Sequence, residues 1–164
     1  MPTLPADTME VVLRLFVAAL VGGCIGIDRE VRQKPAGMRT HALVSLGAAL
    51  VVLVVVRFSP ATNHIDAVSR AIQGIIVGVG FLGGGAILKA EHGTVHGLTT
   101  AASIWVVASL GIASGAGQWL AALIALAFAL IILIFGEPVE GFIHRIAKRK
   151  VFPADDNITT HLGQ

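Results

Sequence analysis

GIIVGVGFLGGGAILKAEHGTVHGLTTAASIW, Gly74 to Trp105, is the stretch whose reading decides the fold. Two apolar segments meet at a short polar hinge, and the first carries glycine at a density that would weaken a helix in water by up to about 1 kcal/mol per residue relative to alanine. A bilayer reverses that balance. In hydrocarbon the backbone has to satisfy its own hydrogen bonds, and residues without bulk let neighbouring helices come close. At about 100° per residue, Gly74, Gly78 and Gly85 fall on one stripe and Gly80 and Gly84 on a second. The pattern predicts a central helix over Gly74–Leu88 with two neighbours seated on those stripes.

The rest of the chain agrees with a membrane setting. Of 164 residues, 55% are hydrophobic and 13% charged, with a mean hydropathy of +0.82, which is outside the soluble range. Five apolar runs approach the length needed to cross about 30 Å of hydrocarbon: Val11–Ile27, Thr40–Val56, Ala71–Leu88, Leu98–Ala113 and Trp119–Phe135. The expected fold is all-α and polytopic, a five-helix transmembrane domain over residues 1–136 followed by a short tail, 137–164. In that tail Val139, Phe142, Ile143 and Ile146 recur at helical spacing opposite Arg145, Lys148 and Arg149, as in an amphipathic helix on an anionic surface; the alternative is that helix five, expected to end at Gly136, Glu137 and Pro138, continues outward. Met1–Glu10 holds Asp7 and Glu10 and no basic residue, unlike a secretory leader, so the first helix is expected to remain. The single cysteine, Cys24, excludes an intrachain disulfide.

Basic residues set the orientation. Arg29, Arg32, Lys34, Arg39, Lys89 and the Arg145–Lys150 cluster share one side, against Arg57 and Arg70 on the other. The expectation is an amino terminus outside and a carboxyl terminus in the cytoplasm. The charge reports topology, and nucleic acid is not implied. Arg14, inside the first run, either snorkels while paired with Glu10 or a headgroup, or marks a pathway.

The charged passage IDREVRQKPAGMRTHA, Ile27–Ala42, offers i,i+4 pairs at Asp28–Arg32 and Glu30–Lys34 on a helix that Pro35 interrupts. It is either a salt-bridged helix end or a ligand or partner site at the cytoplasmic mouth, drawn from Asp28, Arg29, Glu30 and Arg39 together with Thr40, Lys89, Thr99 and Thr100. Gly22 and Gly26 form a small ridge on helix one, and His41, Ser45, Ala48 and Val52 share one face of helix two. His92 and His96 have a metal-type spacing, but the intervening Gly93, Thr94 and Val95 disfavour a helix and no further ligands complete a set, so no metal site and no cofactor is expected.

A shift of 60 residues aligns Gly23, Ile27, Arg29, Gly37, Met38, Thr40 and Ala42 with Gly83, Ile87, Lys89, Gly97, Leu98, Thr100 and Ala102. Either helices one–two and three–four are two parallel-repeat hairpins, with helix five added, or apolar segments align by chance.

Four passages, IDRE at Ile27–Glu30, PAGMRTHALVSLGAAL at Pro35–Leu50, GVGFLGGGAILK at Gly78–Lys89 and GLTTAASIWVVASLGIA at Gly97–Ala113, give the chain a resemblance to the MgtC/SapB family. The resemblance implies a bacterial inner-membrane protein linked to magnesium limitation and, in pathogens, to survival inside host cells. Some members act by binding other membrane proteins, the ATP synthase among them; magnesium transport is a second activity ascribed to the family, so magnesium enters as regulator or cargo. Asp28 stands where members commonly carry Glu, and His96 where Arg is expected. Larger members add a soluble domain, which the residues after Phe135 are too few to supply. Two functions follow: a nonenzymatic regulator that docks its helices and basic face on partners, or a cation transporter. All the acids lie outside the apolar runs, which disfavours the second, and no nucleophile, base and orienting group occur together as an enzyme needs. The odd helix count and the glycine stripes predict a homo-oligomer in the lipid bilayer, a dimer first.

Overall fold

The computed structural model describes residues 4–60, 62–87 and 96–151. Among these the chain forms five helices and no strand: α1 (Leu4–Val31), α2 (Met38–Phe58), α3 (His64–Ile87), α4 (Leu98–Gly115) and α5 (Trp119–Val151). Each has a segment long and apolar enough to cross a membrane. The expected spans and fold class are therefore those of the structure.

The bundle is organised on α2, which touches α1, α3 and α4. Its inward face is the predicted one: His41, Ser45, Ala48 and Val52 are all buried. Two glycine pairs grip it. On α1, a methyl at Gly22 would lie 2.5 Å from the His41 carbonyl oxygen and 2.8 Å from Ser45 Cβ, and one at Gly26 would lie 2.5 Å from Met38 Cα. On α4, a methyl at Gly111 would overlap the Ser45 carbonyl and one at Gly115 the Ala49 carbonyl. Backbones meet directly on both sides, as small residues at i and i+4 permit.

The position expected for α3 needs correction. It has its two neighbours, α4 and α2, but it is peripheral rather than central, and only Val79 and Gly83 are buried on it. Nothing lies within 4 Å of a methyl built on Gly74, Gly78, Gly80, Gly84 or Gly85, whereas one on Gly83 would meet Ala101 Cβ at 3.6 Å. The contact face carries Val79 against Ile104 and Ala108, with Ile75 and Val44 beside them. Apolar side chains there bury more area than hydrogen atoms could, so both glycine stripes turn outward.

The pairs of packed helices are unchanged when the hairpins α1–α2 and α3–α4 exchange: α1·α2 corresponds to α3·α4, α1·α4 to α3·α2, and α2·α4 to itself. The 60-residue register predicts that symmetry.

Two helix ends differ from expectation. α1 stops at Val31, ahead of Pro35, in a C-terminal motif where Lys34 N donates to Arg29 O (2.9 Å) and Gln33 N to Glu30 O (3.0 Å). Gln33 takes the left-handed backbone position, φ 55°, that glycine usually fills. α4 ends in the same motif with Gly117, φ 83°, in that position. α5 in turn does not end at Gly136–Pro138 but runs to Val151, because the one amide bond that Pro138 removes is outweighed by bonds on both sides. Residues 1–130 and 131–164 are separate compact units. In the first, α5 buries Ala122 and Leu126, one turn apart; the described part of the second is the continuing helix.

Gly111→Ala is expected to destabilise the folded chain by about 1–3 kcal/mol, as overpacking does, while Gly78→Ala is neutral or stabilising by up to about 1 kcal/mol. Denaturant titration of the detergent-solubilised protein, followed by circular dichroism, compares the two.

Candidate functional site

α1 delivers the charged passage to one end of the bundle, and the glycine seams fix what each side chain can reach. Arg29, in the last turn of α1 and 3% exposed, donates from Nη2 to Thr100 Oγ1 at 2.9 Å. A cation in that turn suits the carbonyl end of its own helix. Thr100 is buried in the first turn of α4, so the bond ties α1 to α4 and places the end of one and the start of the other on the same side.

A second buried link joins α2 to α4. His41 Nδ1 lies 3.0 Å from Gly37 O, which can only accept, so that nitrogen is the donor; Nε2 lies 3.0 Å from Ser103 Oγ. Ser103 Oγ also lies 2.8 Å from Thr100 O, and its one hydroxyl proton serves either that carbonyl or His41 Nε2. Arg29, Thr100, Ser103 and His41 thus form one continuous polar joint across three helices. Such links resist separation in a low dielectric because each broken bond leaves a buried group unpaired.

The acids are committed in different directions. Asp28 Oδ1 accepts from Arg32 Nε at 2.8 Å, the i,i+4 pair expected from the sequence, and its Oδ2 is buried without a hydrogen-bond partner among the described residues. Glu30 reaches across to α2, where Oε2 accepts from Met38 N at 2.9 Å. The residue at the N-cap of α2 is Gly37, which has no side chain for that role, and a Cβ there would lie 2.8 Å from Glu30 Oε2. Gly37 therefore admits the carboxylate that replaces its own missing cap.

Of the other candidates, Arg39 and Thr40 are exposed and line an open groove of about 700 Å³ with Glu30, Gln33, Lys34, Gly37 and Met38. Thr99 is exposed while Thr100 turns inward. Lys89 and His92 lie outside the described residues; His96 is exposed. Among the described residues no group of three or more His, Cys, Asp and Glu could hold a metal ion.

Arg14 sits at the opposite end of the bundle. It pairs with Glu10, as expected, and its Nη1 also donates to Gly115 O at 2.8 Å, capping the end of α4. A Cβ on Gly117 would come within 2.8 Å of Arg14 Nη2. The sequence reading missed this cap and the Gly111–Gly115 seam, although the seam's i,i+4 glycine spacing was visible.

Fold and joint together define a polytopic helical membrane protein whose polar residues lock three helices at one end. The chain belongs to the MgtC family, which matches residues 15–142. It is 43% identical over 136 residues to Protein SrpB of Synechococcus elongatus, covering 77% of this chain and 75% of SrpB. It is 41% identical over 116 residues to the Putative magnesium transporter YhiD of Escherichia coli, covering 68% of this chain and 54% of YhiD. It is 43% identical over 114 residues to Protein MgtC of Salmonella typhimurium, covering 70% of this chain and 47% of that protein. The chain thus spans about half the length of these last two relatives. No solved structure matches it.

Thr100→Val, which removes the acceptor of the Arg29 bond, is expected to lower stability by about 1–3 kcal/mol. Gln33→Gly is expected to raise it by about 1 kcal/mol by relieving the left-handed backbone. Both are read from unfolding titrations in the same detergent.

Proposed function

We propose that this chain is a nonenzymatic bacterial inner-membrane protein serving magnesium homeostasis, in adaptation to magnesium limitation, and that it acts by binding other membrane proteins. The link to magnesium rests on family membership and on the name of the YhiD relative. The excess of basic residues at the Arg29 end argues that this end faces the cytoplasm.

The observation that carries the docking reading is how the acids of that end are spent. Magnesium gives up water reluctantly and is held by carboxylates or phosphate oxygens. Here Asp28 Oδ1 is engaged by Arg32 and Glu30 by the Met38 amide, and the cationic Arg29, between them in sequence, is buried. An incoming divalent ion would have to displace these partners against a positive field. Direct backbone contact at Gly22, Gly26, Gly111 and Gly115 also leaves no room for an ion between α2 and its neighbours α1 and α4 at those levels. The exposed groove at Arg39 and Thr40 and the outer faces of the helices are the surfaces left for partners.

Transport of magnesium or another cation by an oligomer is the second reading, favoured by the YhiD name. Magnesium influx into liposomes containing the full chain decides between them. The docking reading predicts influx equal to that of protein-free liposomes. Influx above that level, abolished by Asp28→Asn or Arg39→Ala, overturns it in favour of transport.

A further inference from the structure

The α2–α4 half of the polar joint is one hydrogen short. Three of its contacts stand at hydrogen-bonding distance: His41 Nδ1 to Gly37 O at 3.0 Å, His41 Nε2 to Ser103 Oγ at 3.0 Å, and Ser103 Oγ to Thr100 O at 2.8 Å. Each such contact is closed by one hydrogen. A neutral imidazole brings a single hydrogen, held on Nδ1 because the Gly37 carbonyl only accepts, and the Ser103 hydroxyl brings one more. Two hydrogens therefore serve three contacts. If Ser103 donates to Nε2, its oxygen faces the Thr100 carbonyl oxygen at 2.8 Å with no hydrogen between them. If it donates to Thr100 O, its lone pair faces that of Nε2 at 3.0 Å. The imidazolium closes all three contacts with every heavy atom where it stands: Nε2–H donates to Ser103 Oγ, and Ser103 donates to Thr100 O, whose second lone pair is available beside the bond within α4.

The charges around the ring act against a permanent cation. His41 is fully buried, in the first turns of α2, where the amino-terminal dipole disfavours positive charge. From α1 the buried guanidinium of Arg29 acts on it, while the acids of that helix end are engaged elsewhere, Asp28 by Arg32 and Glu30 by the Met38 amide. α4 presents only the neutral Thr100 and Ser103, and the Gly74–Ile87 half of α3 contains no titratable residue. On α2 itself Arg39 is exposed in the groove. Hydrogen bonding thus favours a second proton on the ring, and its surroundings oppose one. Gly37, whose carbonyl holds the ring, also lines the open groove, so the ring stands next to the aqueous side.

We propose that His41 is a proton-binding site, its ligand an aqueous proton, and that occupancy of the site sets how firmly α2 is joined to the first turn of α4. Binding forms one N–H bond at Nε2, taken from an aqueous acid, and breaks none in the protein. The Ser103 hydroxyl turns from Nε2 to Thr100 O as the proton arrives. The neutral joint holds two of the three hydrogen bonds and the protonated joint all three. The inference stands apart from the activity, since docking and transport are both compatible with it.

The test is solid-state NMR of the full chain, labelled with nitrogen-15 at histidine and reconstituted in lipid bilayers, from about pH 8 to about pH 5, the range in which histidine changes charge. The chain has six histidines, and the signals lost in His41→Gln assign those of His41. At the alkaline end the His41 ring should show one protonated nitrogen, Nδ1, and one bare nitrogen, Nε2. On acidification Nε2 should gain a proton, with transfer of magnetisation from that proton to the β-protons of Ser103. Ser103→Ala, which removes the relay to Thr100, should weaken proton binding by about tenfold, the worth of one hydrogen bond to a charged group. A bare Nε2 at every pH in the unaltered chain overturns the proposal on its own, and so does a titration midpoint that Ser103→Ala leaves unmoved.

Discussion

Direct contact between backbones on both sides of α2 is the constraint on which the rest of this structure depends. Gly22 and Gly26 bring α1 against His41, Ser45 and Met38, and Gly111 and Gly115 bring α4 against Ser45 and Ala49. Inside a bilayer the hydrophobic effect gives helices no reason to prefer each other over lipid, so close packing and interhelical hydrogen bonds have to hold them. The first is available only where bulk is absent. A chain with alanine at those four positions would need wider spacing, and the polar contacts that α1 and α4 make to their neighbours would lengthen with it.

The polar joint is a consequence of that spacing. Once α1, α2 and α4 are held this closely, Arg29 can reach Thr100, and His41 can bridge Gly37 O and Ser103. At the other end Arg14 closes the carbonyl terminus of α4. Cations at both ends thus sit near carbonyl ends of helices, where the peptide dipoles favour them. The same compactness argues for function by surface contact, since it commits the acids of the charged end to structural partners and leaves the groove at Arg39 and the outward arc of α3 facing the surroundings.

Much of this was legible from residues alone. Apolar runs marked the helices, since a segment in hydrocarbon has few alternatives to a helix. The inward face of α2, the Gly22–Gly26 ridge and the Asp28–Arg32 and Arg14–Glu10 pairs follow from helical spacing, which fixes which side chains share a face. What spacing cannot specify is which neighbour a face meets. Glycine density drew attention to α3 as the centre, but glycine only permits approach, and the sparser Gly22–Gly26 and Gly111–Gly115 pairs are the ones the bundle uses. Thr99 and Thr100 differ by about 100° of rotation, so choosing the buried one required the position of α1. Gln33 ended α1 before Pro35 through a left-handed turn that side-chain preference disfavours, and Glu30 capped α2 because Gly37 left space for it. Each of these is settled by tertiary contact, beyond what a local pattern encodes.

The account is tested most directly by proton-detected solid-state NMR of the full chain in lipid bilayers, measuring magnetisation transfer to the glycine α-protons from lipid acyl chains and from α2. It predicts that Gly22, Gly26, Gly111 and Gly115 receive magnetisation from protons of residues 38–49 and none directly from acyl chains. Direct transfer from acyl chains to these four glycines, without transfer from α2, would contradict it.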